Sequence, residues 1–93
     1  MKINICGIPH TIIEKEDAFD SNVLGEIDHA KATITLNKDM SDELKDETLC
    51  HEIVHGMLVH LGRLDLSSDE TLVQSLGNAI YQTFEVKKGA VSD

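Results

Sequence analysis

A chain of 93 residues with 41 % hydrophobic and 27 % charged side chains has the composition of one small globular unit with a modest core, and it leaves no room for a separate substrate domain. A formal net charge of −9 argues against nucleic acid as a ligand, which would need a basic patch; the only lysine pair, Lys87-Lys88, lies in the tail. No stretch reaches the length of a membrane span, and Met1-Lys2-Ile3-Asn4-Ile5-Cys6-Gly7 holds too short an apolar run for a secretory leader, so a cytoplasmic setting without membrane contact is expected. In that setting Cys6 and Cys50 are expected to be reduced, buried small hydrophobes.

The first half alternates with the period of strands. Ile3 and Ile5 share one face of a strand over residues 2–6, Gly7 and Pro9 punctuate, and Thr11-Ile12-Ile13 begins a second strand, with Pro9 favouring an edge or a turn. Residues 16–22 are acidic and polar around Phe19 and read as a loop or a single helical turn. Gly25-Glu26-Ile27-Asp28 and Ala32-Thr33-Ile34-Thr35-Leu36 flank His29-Ala30-Lys31 as a hairpin, with Ile34 and Leu36 inward and Thr33 and Thr35 outward. His10 and His29 are expected to be loop histidines.

The period changes in the second half. From Asp42 to about Leu61 the apolar residues Leu49, Ile53, Met57 and Leu61 recur at helical spacing, widened by Val54 and Leu58; Ser41 is the natural N-cap, and Gly62 with Arg63 closes the far end. A turn through Leu64-Asp65-Leu66 leads to a second helix over about residues 68–86, on which Leu72, Val73, Leu76, Ala79, Ile80 and Phe84 recur. Strands followed by helices make an α+β protein: a mixed or antiparallel sheet of three or four strands built from residues 1–40, a helical half over 41–88, and a frayed tail at 89–93.

The middle of the first helix carries His51-Glu52-Ile53-Val54-His55, or H-E-x-x-H. Histidines four residues apart lie on one helix face about a turn apart, so both imidazoles can aim at one zinc ion. Glu52 is rotated too far to complete that ligand set easily, but it is placed to take a proton from a zinc-activated water as general base. His51, Glu52 and His55 share their face with Leu44, Thr48 and Val59, while Ile53, Met57 and Leu61 hold the opposite side in the core.

Catalytic zinc wants a third protein ligand, and the candidates downstream are His60, Asp65, Asp69 and Glu70. His60 is turned about 140° from His55, and the spacing H-E-x-x-H-x-x-G-x-x-H is absent. Glu70 lies on the Val73/Gly77 side of the second helix, the stripe that packs inward; Ser67-Ser68-Asp69-Glu70 also reads as a capping box in which Glu70 reaches back to a backbone N–H. Asp69 and Asp65 stay open as alternatives. Tyr81 is expected to be an ordinary helix residue.

The run Gly25-Glu26-Ile27-Asp28, the strand over residues 32–36, the H-E-x-x-H helix, and Glu70 followed by Val73 and Leu76 together resemble small zincin-type metallopeptidases of the ImmA/IrrE kind, common in phages and mobile elements. The resemblance covers roughly residues 25–85. It implies a minimal zincin-like fold, zinc held by His51, His55 and Glu70, Glu52 as the catalytic base, and a strand before the active helix that serves as an edge for an extended peptide, which would make Thr33, Ile34 and Thr35 substrate contacts. The expected activity is zinc-dependent peptide-bond hydrolysis on a peptide or protein substrate. The alternative is a zinc-binding module that acts through protein–protein contact without turnover, which the small size favours. An open sheet edge would also allow self-association into a homo-oligomer.

Overall fold

The computed structural model describes residues 1–16 and 23–86; the loop expected around residues 16–22 lies almost wholly outside them, as do Lys87-Lys88 and the tail at 89–93. Four strands form, β1 (Lys2–Ile5), β2 (Ile8–Lys15), β3 (Gly25–Asp28) and β4 (Thr33–Asn37), followed by helices α1 (Asp42–His60), α2 (Leu64–Ser67) and α3 (Glu70–Thr83). The protein is therefore a small α+β fold with one mixed sheet, ordered β1-β2-β4-β3.

Local chemistry explains each boundary. The β1–β2 hairpin turns on Cys6 and Gly7, both at positive φ (52° and 80°), as a two-residue turn matched to strand twist requires. This places Cys6 on the surface, whereas Cys50 is buried as expected, and neither forms a disulfide. Pro9 lies inside β2 opposite Asn4. The Thr11 N–H donates to Ala32 on the β4 side, so the N–H that Pro9 lacks would have pointed the same way, before β4 begins.

The Leu44 N–H donates to the Ser41 hydroxyl at 3.2 Å, so Ser41 caps α1. At the other end Gly62 (φ 76°) closes a Schellman motif, with Gly62 N–H on Val59 O and Arg63 N–H on Leu58 O. The turn expected through residues 64–66 is itself a helical turn, α2. The N-cap of α3 is Asp69, whose carboxylate accepts from Leu72 N–H at 3.1 Å, rather than Ser67.

Ile3, Ile5, Ile12, Ile34 and Leu36 form one buried sheet face under Leu49 of α1, with Ile27, Ile53, Met57 and Val86 packed around them. Ile34 and Leu36 thus face inward as their alternation implies, and Ile53 and Met57 are half-buried on the sheet side. Leu61 is not part of this stripe: it is the C-cap of α1 and lies 67 % exposed. Buried Cys50 and Val54 lie outside the sheet cluster, and Cys50 lies where α3 crosses α1 at Gly77. The inward line of α3 is Val73 and Gly77, while Leu76 and Phe84 are exposed. No helix among the described residues is long and apolar enough to cross a membrane.

β4 is not an edge. It pairs with β2 in parallel and with β3 antiparallel, so that Ile12, Ile34 and Ile27 lie abreast, and Ile34 is wholly buried. The backbone of Thr33, Ile34 and Thr35 is therefore flanked by strands on both sides, and among the described residues the outer strand on this side is β3.

Candidate metal centre

His51 and His55 lie one turn apart on α1, with ring centroids 4.9 Å apart. Across from them Glu70, the first residue of α3, places Oε2 3.2 Å from His51 Nε2 and Oε1 3.1 Å from His55 Nε2. The three ligand atoms lie within 4.8 Å of one another, and no other group of three among the described residues meets that spacing. The two alternatives for the third position are engaged elsewhere: Asp65 pairs with Arg63 at 3.0 Å, and Asp69 caps α3. His60 turns away, its ring 5.6 Å from that of His10.

The far side of each imidazole is held too. Gln74, one turn after Glu70, donates through Nε2 to Asn78 Oδ1 at 3.0 Å, which turns its Oε1 toward His51 Nδ1 at 2.9 Å. The Gln74 amide oxygen can only accept, so His51 donates to it through Nδ1 and turns Nε2 toward the Glu70 carboxylate, 3.2 Å away. His55 Nδ1 is hydrogen bonded to the Ser67 hydroxyl at 3.1 Å, and burial lowers its pKa, which keeps the ring in the neutral, ligating form. Two imidazole nitrogens and a carboxylate oxygen, oriented from behind, are a donor set that can hold a metal ion.

The supports Ser67 and Gln74 are not apparent in the sequence. Ser67 reads there as a helix cap, and Gln74 as a polar residue without a role; only the i+4 step from Glu70 to Gln74 hints that both face α1. Gly77 is a third residue of this kind. A Cβ built there would lie 3.1 Å from His51 Cα and 3.3 Å from His51 N, so glycine lets α3 approach α1 closely enough for Glu70 to reach the histidines.

Glu52 points from the same helix into a groove of about 620 Å³ that runs beside the cluster. It is 7 % exposed, and no hydrogen bond or ion pair satisfies it among the described residues. Burial pushes its carboxyl up to about 7, with the His51 charge opposing and Glu70 and Glu26 adding to the rise. The open wall of the groove is the residue 23–27 stretch that contains the start of β3.

The three buried side-chain nitrogens without a partner among the described residues all belong to histidines: His10 Nε2, His29 Nδ1 and His60 Nε2. His10 is not a loop residue but a wholly buried member of β2, its Nδ1 2.8 Å from Ile8 O. His29 does lie in the β3–β4 turn and lines the groove; burial and then the His55, His60 and His10 charges lower its pKa. Tyr81 lies away from the cluster, lining a separate depression with Cys50 and Phe84. Comparisons with protein-family models, with curated proteins and with solved structures return no match to this chain.

Proposed function

We propose that the protein is a zinc-dependent peptidase with a minimal zincin-like arrangement, in which His51, His55 and Glu70 hold the metal and Glu52 is the general base. The observation that carries this reading is the pairing of a converging His-His-Glu donor set with a buried, unpartnered carboxylate one residue from its first ligand. Two nitrogens and one oxygen suit zinc better than calcium or magnesium, which prefer oxygen alone. Bound there, zinc supplies Lewis acidity, lowering the pKa of a water and polarising a carbonyl oxygen.

The chain's own residues do the rest. Gln74 and Ser67 fix the imidazoles so that both Nε2 atoms face Glu70. Glu52, with a pKa near neutrality, accepts a proton from water at its Oε and returns it to the departing amine nitrogen. Among the described residues β3 is the outer strand of the sheet beside the groove, and an extended peptide can add there as a further strand.

Glu52→Gln is the direct test, because it keeps shape and hydrogen-bonding capacity while removing the base. Zinc content should match the wild type, and cleavage of peptide substrates should fall by 10²-fold or more, the contribution typical of a positioned base. Unchanged cleavage in the zinc-loaded variant would remove Glu52 from the reaction. Zinc binding with no cleavage by the wild type would make the protein a zinc-binding module.

A further inference from the structure

Beyond the cluster and its base, the groove is lined by two more carboxylates, Glu47 and Glu26. Glu47 precedes His51 by four residues and so lies one turn toward the N-terminus of α1 on the same face; Glu26 belongs to β3 and is near enough for its charge to act on Glu52. Neither has a hydrogen-bond or ion-pair partner among the described residues, whereas several described cations are engaged elsewhere, Lys45 with Glu14, Lys38 with Glu16 and Arg63 with Asp65. No lysine or arginine is among the described groove residues. A divalent cation at the histidines would offset Glu70 and Glu52 and leave Glu47 and Glu26 uncompensated.

The groove is also built to receive something rather than merely acidic. Glu52 is 7 % exposed, unpartnered and opens into it, and Leu44, Leu24 and Val23 give the same end an apolar rim, Leu24 and Val23 being 37 % and 41 % exposed. Leu44 precedes Glu47 by three residues, so the two are neighbours on the helix surface. An apolar strip that ends at a carboxylate matches one kind of side chain, the long aliphatic stem with a cationic head found in lysine and arginine.

We infer that the groove selects extended peptides bearing lysine or arginine, with Glu47 as the specificity-determining residue, Leu44 and Leu24 seating the aliphatic stem, and Glu26 strengthening the negative field. This inference rests on the peptidase reading. Four helical residues span about 6 Å and an extended peptide advances about 3.3 Å per residue, which places the basic side chain about two residues from the bond that is cut, on the Leu44 side.

Zinc-loaded full-length protein should be incubated with a positional-scanning peptide library, with Glu52→Gln as the control for cleavage. The expected result is an enrichment of about tenfold for Lys and Arg over Gln and Glu at one position, abolished in Glu47→Gln and turned toward acidic residues in the charge reversal Glu47→Lys; the isosteric Gln variant keeps the test valid if the reversal does not fold. Cleavage without a basic preference, or with a preference that Glu47→Gln leaves intact, overturns this inference while the peptidase reading stands. No cleavage of any library member by zinc-loaded wild type overturns both.

Discussion

Glu52 lies at the boundary between groove and interior with 7 % of its surface exposed, and a carboxylate there ionises at a cost. Its pKa is about 7 in the fold against 4.5 in the unfolded reference, so between those values the folded chain holds a proton that the unfolded chain has released. The stability this contributes is fully present below about pH 4.5 and is lost as pH rises through about 7. At about 1.4 kcal/mol per pH unit the window is worth on the order of 3 kcal/mol. Metal-free Glu52→Gln should therefore match the wild type at pH 4.5 and exceed it in stability above pH 7, as urea denaturation across that range would register; parallel pH profiles would contradict the burial account. The positions of His51, Glu52 and His55 relative to one another follow from spacing alone, since one helix fixes all three. Those of Ser67 and Gln74 depend on how α2 and α3 fold back over α1, and no local pattern carries that information.

Among the elements, α1 is the most legible, because Ser41 and Gly62 bracket it with side-chain and backbone chemistry that acts within a few residues. Its burial is less so. α1 is covered by the sheet near Leu49 and by α3 near Cys50 and His51, so a single stripe through Leu61 does not describe it. The hairpin of β3 and β4 is a local pairing and shows in the sequence; the parallel insertion of β4 beside β2 is a non-local one, and an alternating strand reads the same in the middle of a sheet as at its edge. This moves the open edge from Thr33, Ile34 and Thr35 to β3, beside the groove. The contact that brings Glu70 to the histidines is helix on helix at Gly77. Gly77→Ala places a methyl group 3.1 Å from the His51 backbone, too close for backbone to yield without displacing α3. A loss of about 1–3 kcal/mol in stability and about tenfold in zinc affinity is expected, read by thermal melts and a chelator-competition titration; an unchanged affinity would show that Glu70 is positioned by something other than this packing.

At the scale of the whole molecule, the switch from period-two to helical patterning near residue 40 is what makes the α+β order legible, and the single apolar sheet face is what α1 needs to bury. A chain of this size gains only modest stability from such a core. A metal that binds the folded chain and not the unfolded one adds to it through linkage, so an ion held by His51, His55 and Glu70 would also tie α1 to α3. The most direct test of this account is zinc content, measured by elemental analysis after zinc loading and extensive dialysis, on the wild type and on Glu70→Ala. One equivalent per chain is expected in the wild type and a substoichiometric, readily lost amount in the variant. A wild type without bound zinc, or a Glu70→Ala variant that keeps its full equivalent, would contradict it.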